Sequence, residues 1–400
     1  MPTRIAGVAF GLGLAFLAAF QQFKLPVVLP VLLADYDYDR TLAGGFMSIY
    51  ALVGLLLSVP LGRAMHRHGA ASLLLWALAL MIAGNALALT APSSGWLMLA
   101  SRALEGVAFA VLAIGGPALA NANASREAMP LVAGLVASWI PAGQLAATFL
   151  APLAFAIGGW RLMWYAGMAV TALFMVLTLV NRACGRIVLS APGPAQPSGS
   201  VPFSDFERRG LWLNGALFML WSGQYFAYMT WLPQYLVEVH DLAVARAEWV
   251  YAIPVALVLV MCVLTGWLLK RGLALGTLMV GALVVQACVW WLLPVTNGPV
   301  EGVVSLVVYG TAAGFVPTCL FALPGVILGR GTDTARAFGI VMTGRNMGVL
   351  IGPVLVAQAF KMTGSWDLTA PVFGTVTSVC VIVALLLARQ LRARDALARA

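Results

Sequence analysis

Charge is what this sequence has least of. Its 14 acidic and 23 basic residues make up 9% of 400 positions, too few to cover the surface of a soluble domain of that length. Histidine occurs three times and cysteine five, and neither recurs at a ligand spacing. His66 and His68 stand two apart, with no carboxylate or thiol beside them to complete a metal site. Cys262, Cys288, Cys319 and Cys380 fall inside apolar runs and Cys184 in a basic segment, which argues against a disulfide framework. The cysteines within the apolar runs have no histidine at that depth, and Glu105 there has no second carboxylate, so the reading is not an enzyme, with no cofactor and no metal. No long polar stretch is present to form a signalling domain.

What fills the chain is hydrocarbon. Hydrophobic residues make up 62% and the mean hydropathy is +0.95. Apolar runs long enough to span a bilayer core, about 20 residues each, recur along the sequence. Twelve are expected, over 5–33, 42–62, 72–90, 96–119, 131–157, 163–181, 210–237, 248–269, 273–293, 302–324, 337–360 and 369–388. Runs of this length exclude barrel strands and predict an all-α polytopic membrane protein. The first run is far longer than the core of a signal peptide, so it is read as a retained span.

The net charge of +9 is a topology signal and does not point to nucleic acid. Arg63, Arg67, Arg126, Arg182, Arg208, Lys270, Arg330 and the basic tail fall on one side of such a twelve-span chain. Only Arg40, Arg161, Arg246 and Lys361 fall on the other. This bias predicts both termini in the cytoplasm of a cell held by its inner or plasma membrane.

The segment 182–209 contains "SAPGPAQPSGS", whose Pro, Gly and Ser mark a linker. It divides the chain into an N-terminal six-helix bundle, 1–181, and a C-terminal one, 210–400. The halves echo each other. "KLPVVLPVLLADYDYDR" from 24 pairs with "WLPQYLVEVHDLAVAR" from 231, matching Pro26 to Pro233, Asp35 to Asp241 and Arg40 to Arg246. "GRAMHRHG" from 62 pairs with "GWLLKRG" from 266. A repeated bundle is the architecture of secondary transporters, whose substrate sites lie near the midplane.

With these motifs the chain resembles the major facilitator superfamily across essentially its whole length. "GRAMHRHGA" is similar to that family's loop after the second span: Gly62, Arg67 and Gly69 fit, while His66 stands where an Asp is usual. A neutral His cannot form that Asp's ion pair. "SRALEG" at 101–106 and "GGWRLMWYAG" from 158 resemble two further elements. The resemblance implies alternating access and a gating role for Gly62, His66, Arg67 and Gly69. "TWLPQYL" is similar to the branch that carries cyanate and nitroimidazole-like compounds.

Four charged residues remain deep in the apolar runs: Lys24, Arg102, Glu105 and Arg345. Intramembrane charges generally mark a pathway. Lys24 lies about 16 Å inward from Asp35 at 1.5 Å per residue. The functional reading gives Lys24, with Gln21, and Arg345 the task of holding an anionic group, one from each half. Arg102 and Glu105 form a charge pair suited to proton coupling. The alternatives are that Lys24 snorkels to the surface, that Arg102 and Glu105 only neutralise each other, and that Arg345 braces helix carbonyls. Trp221, Tyr225 and Tyr228 share a helical face, with Gln224 beside it, and Tyr309 is set among Gly310, Gly314 and Pro317. Such side chains suit a small-molecule site. The expected function is secondary active transport of a small organic anion, with monocarboxylates foremost and protons as the candidate coupling ion. The partners are then a small-molecule substrate and the lipid bilayer, and the chain acts as a monomer. The alternative is a proton-coupled multidrug or metabolite exporter, disfavoured because "ASWIPAGQLAATFLAP" departs from the glycine pattern of such antiporters.

Overall fold

A computed structural model of the chain describes residues 3–68, 70–125, 128, 132, 135–136, 138–185, 203–328 and 334–397, leaving aside the side chains of 58–68, 70, 334–336, 338 and 393–397. Among the described residues there are twelve α-helices and no strand. We number them α1 (Ile5–Tyr36), α2 (Arg40–His68), α3 (Ala70–Thr90), α4 (Gly95–Ala122), α5 (Trp139–Ile157), α6 (Arg161–Cys184), α7 (Asp205–His240), α8 (Val244–Lys270), α9 (Leu275–Leu292), α10 (Pro299–Leu328), α11 (Thr334–Thr363) and α12 (Thr369–Leu397). Eleven are long and apolar enough to cross a bilayer. The exception is α7, which carries Asn214, Ser222, Gln224, Thr230 and Gln234 along its length. The chain is a multi-pass membrane protein.

Local chemistry sets the helix limits. The Ser94 hydroxyl accepts from Leu97 N at 3.4 Å and the Asp39 carboxylate accepts from Thr41 N at 2.9 Å, capping α4 and α2. Asp37 and Asp241 follow α1 and α7 in left-handed conformation, with φ of 47° and 50°. Prolines inside helices leave a carbonyl four residues back without its donor. Pro26 frees the Gln22 carbonyl and Pro324 frees that of Leu320. Side chains from other helices take both, Arg102 Nη2 at 2.9 Å and Asn214 Nδ2 at 3.2 Å. In lipid, where no water would do so, this substitution makes such prolines tolerable.

Helix packing forms two compact units: Met1–Gln196 with Met229–Ala252, and Pro197–Tyr228 with Ile253–Ala400. In the first, α4 packs on α1, α2 and α3, and α1 also packs on α5. Its core includes Leu14, Leu17, Tyr50, Leu74, Met81 and Leu112, all at 1% exposure or less. In the second, α9 packs on α10 and α12, around Leu217, Leu283, Trp290, Val316 and Leu323. The outward-facing side chains are apolar as well. Leu153, Leu173, Val176, Val263, Val304, Leu355 and Ile382 are each more than half exposed, as a lipid-facing surface requires.

The duplication is written into the helix starts. α2 opens at Arg40 and α8 at Val244, α3 at Ala70 and α9 at Leu275, α4 at Gly95 and α10 at Pro299: an offset of 204 or 205 residues. The left-handed aspartates fix the register at the ends of α1 and α7, so the partner of Asp241 is Asp37 and not Asp35. Likewise α2 opens on Arg40 where α8 opens on Val244, which corrects the pairing with Arg246. A second equivalence is a close helix approach. A Cβ on Gly143 of α5 would strike Ala19 and Phe20 of α1, and one on Gly348 of α11 would strike Met219 and Ser222 of α7. Only glycine permits these approaches.

The segment resembling the family's loop is helical over most of its length. α2 continues to His68 and carries Gly62, His66 and Arg67 in its last turns, with their side chains outside the described residues. Gly69 itself also lies outside them.

Candidate functional site

Lys24 does not reach a surface. It is fully buried, and its three N–H groups all have acceptors: Gln21 Oε1 at 2.6 Å, Asn85 Oδ1 at 2.5 Å and Glu105 Oε1 at 3.0 Å. The ammonium also sits 4.4 Å from the ring centroid of Trp164. The other carboxylate oxygen of Glu105 accepts from Arg102 Nη1 at 2.5 Å and from the Tyr50 hydroxyl at 2.7 Å. Arg102 spends three further donors on α1 and α2: Nη1 on the Gln21 carbonyl at 3.0 Å, Nη2 on that of Gln22, and Nε on that of Phe46 at 3.3 Å. Its guanidinium lies 4.3 Å from the Tyr50 ring centroid. The Gln21 amide donates onward to Thr171 Oγ1 at 3.1 Å.

Two cations therefore surround one carboxylate, with Lys24, Arg102 and Glu105 all at 0% exposure. Taking three charges out of water costs several kcal/mol per ion unless each is paired and hydrogen-bonded, and here each is. This answers what an ammonium does in the apolar first helix. It binds α1 to α3 and α4 through Asn85 and Glu105. Snorkelling is ruled out by its burial, and the pairing of Arg102 with Glu105 includes Lys24 as a third member.

The second unit uses the same places differently. At the 204 or 205 offset, Lys24, Asn85 and Glu105 correspond to Tyr228, Trp290 and Tyr309. Those three rings pack edge to face, with centroids 4.8 Å apart for Tyr228–Trp290, 4.9 Å for Tyr228–Tyr309 and 5.1 Å for Trp290–Tyr309. Phe373 closes the cluster 4.9 Å from Trp290. An ion network in one unit is thus an aromatic cluster in the other. Trp221 stacks on Tyr225 at 4.9 Å and donates to Gln286 Oε1 at 3.2 Å. Gln224 Nε2 donates to the Tyr309 hydroxyl at 3.0 Å, and its Oε1 is buried without a partner.

Arg345 sits differently from the cations of the first unit. It is 6% exposed, and Nη1 donates to Asn346 Oδ1 at 3.0 Å. Its guanidinium lies 5.0 Å from the Phe226 ring centroid, and its backbone carbonyl accepts from Ser222 Oγ at 2.9 Å. Among the described residues it has no carboxylate within ion-pair distance. The side chain braces no helix carbonyl within hydrogen-bond reach there, unlike Arg102.

Comparison with known families decides what this scaffold is. The sequence profile of the Major Facilitator Superfamily matches residues 11–332. The chain is a major facilitator. Among solved structures, the POT family transporter PepTSo is similar in fold, with a TM-score of 0.74 over 98% of each chain at 10% sequence identity. No curated protein matches. A major facilitator is a membrane transporter, and the non-enzymatic reading follows from family and fold together.

Within this facilitator, the structure brings Gln21, Lys24, Arg102 and Glu105 into one network. It brings Gln224, Tyr228 and Tyr309 into another and stacks Trp221 on Tyr225. The residues that sequence reasoning missed are Tyr50 and Asn85, which complete the ion network, and Glu248. Glu248 lies at 0% exposure in the second turn of α8. It stands at the edge of an apolar run, two residues past Arg246, and so reads as a flanking charge. The signal that marks it is the wholly apolar company of Ala247, Trp249 and Val250.

Proposed function

We propose that this transporter moves a small organic anion, with monocarboxylates as the first class to test, and that Arg345 holds the anionic group. The observation that carries the reading is a buried guanidinium with one amide partner, an aromatic face and no carboxylate among the described residues. Such a group in an apolar protein calls for an anion. Gln224, with a buried and unpartnered Oε1, supplies a polar contact beside Tyr309, and Trp221, Tyr225 and Tyr228 supply an aromatic wall. Lys24 is the weaker candidate, because binding substrate would require it to release one of three acceptors. Transport proceeds by alternating access, in which a substrate must bind the states differently in order to drive exchange between them. We place the two bundles at 1–181 and 210–400, both termini in the cytoplasm, and a monomer in the inner or plasma membrane as the working unit.

The test is thermal stabilisation of the purified protein by benzoate, lactate, nicotinate and acetate against size-matched neutral compounds and cations. The expected result is stabilisation by one or more anions, lost in Arg345→Gln and retained in Lys24→Gln wherever that variant folds. Removing a charge-assisted contact of about 1.5–3 kcal/mol weakens apparent affinity roughly 10- to 100-fold. Stabilisation by cations alone, indifferent to Arg345, would overturn the reading in favour of an exporter of cationic compounds.

A further inference from the structure

Glu248 is the buried carboxylate for which neither the ion network nor the anion site has a use. Its side chain is at 0% exposure, and neither Oε1 nor Oε2 has a hydrogen-bond partner. No ion pair to it exists among the described residues. The face of α5 beside it is joined to α8 by Gln144 Nε2, which donates to the Tyr251 hydroxyl at 2.7 Å, and by the Phe149 and Trp249 rings, 5.7 Å apart.

The titratable and charged groups near it are few. α5 has none at all. On α8 itself there are Tyr251, fully buried three residues on, and Arg246, which is exposed. On the adjoining end of α7 are Tyr235, Glu238 and His240. Glu238 is ion-paired with Arg40 of α2 and accepts from Gln234 at 2.7 Å, and the His240 ring lies 5.5 Å from that of Tyr235. Arg40 is thus engaged by Glu238, and Arg246 is exposed.

Glu105 is the instructive contrast. It is equally buried, but Lys24, Arg102 and the Tyr50 hydroxyl all donate to its two oxygens. A carboxylate at Glu248 would have no such support, and an unpaired buried charge neutralises in place of remaining ionised. We propose that Glu248 is a proton-binding site of this transporter: it carries its proton in the conformation described here and releases it to water when the first turns of α8 open. In that step the carboxylic O–H bond breaks, the proton passes to a water molecule, and a carboxylate remains, now hydrated. The coupling role expected of Glu105 passes to Glu248. The inference rests on the transporter assignment and does not depend on the anion reading or on Arg345.

Infrared spectroscopy of the full-length protein in liposomes tests it without any substrate. The unmodified chain is expected to show a protonated-carboxyl C=O band at neutral pH. That band should shift on transfer to D2O and fade as the pH is raised. It should vanish in Glu248→Gln, persist in Glu105→Gln, and persist at an altered position in Glu248→Asp, which also controls for folding. Absence of the band in the unmodified chain, or its survival in Glu248→Gln, would overturn the proposal. So would a band that neither exchanges into D2O nor responds to pH, because that behaviour marks a sealed structural acid.

Discussion

Lys24, Arg102 and Glu105 are costly side chains to bury, and their partners explain why they persist. Each polar atom of the trio is matched, down to the Gln22 carbonyl that Pro26 deprives of its own donor. Removing the anion should therefore be far worse than removing one neutral donor. Glu105→Gln leaves two buried cations without a counter-charge, with an expected cost of about 3–5 kcal/mol. Tyr50→Phe removes only the hydroxyl that donates to Glu105 Oε2 and should cost about 1–3 kcal/mol. Thermal unfolding of both variants in detergent gives the order directly, and equal losses would mean that the ion pairs contribute nothing beyond a hydrogen bond. The three charges were readable in the sequence because charge is so rare there. Their mutual satisfaction was not, since Asn85 and Tyr50 come from α3 and α2, and only the fold brings those helices to α1. Glu248 shows the converse: a residue at the edge of an apolar run reads as flank until burial places it inside.

At the scale of the helix, two features repeat between the units and each can be probed by one substitution. Gly348 lets α11 approach α7 so closely that any Cβ meets the backbone of Met219 and Gly223. Gly348→Ala should therefore destabilise by about 1–3 kcal/mol, the usual penalty of overpacking. Gly143→Ala in α5 should behave alike, since its Cβ would meet the backbone of Phe20 and the side chain of Ala19. Gly325, with open space around its Cβ position, is the control, where Ala should be neutral or better. Thermal midpoints of the three variants decide the matter, and a Gly348→Ala protein as stable as the control would contradict the close approach. Asp37 and Asp241 act in the opposite sense. Both hold left-handed backbone that glycine adopts without strain. Asp241→Gly should stabilise by a few tenths to about 1 kcal/mol, seen as a higher unfolding temperature. The helices themselves were legible because eleven of the twelve runs need nothing but length and hydropathy to be found. Their ends were less so. α2 runs on to His68 through a stretch that motif resemblance read as a loop, and α7 is too polar to pass as an ordinary span.

Over the whole molecule, one six-helix plan is used twice, and the chemistry has diverged at matching positions. Where the first unit holds Lys24, Asn85 and Glu105, the second holds Tyr228, Trp290 and Tyr309, and among its described residues the buried charge lies instead on Arg345. The duplicated plan could be read from "KLPVVLPVLLADYDYDR" and its partner, although the offset needed the left-handed aspartates to be set correctly. The division of labour could not, because equivalence between a lysine and a tyrosine leaves no trace in a motif. That division is the central proposal: satisfied charges hold the first unit together, and we propose that the Arg345 guanidinium of the second, without an ion pair among the described residues, binds the anion. Its most direct test is uptake of labelled benzoate, lactate and nicotinate into proteoliposomes by the unmodified chain, Arg345→Gln and Lys24→Gln, each first shown to be folded. The account predicts saturable uptake of at least one of these anions that falls about tenfold or more in Arg345→Gln. Uptake unchanged in Arg345→Gln but abolished in folded Lys24→Gln, or no uptake of any anion by the unmodified chain, would contradict it.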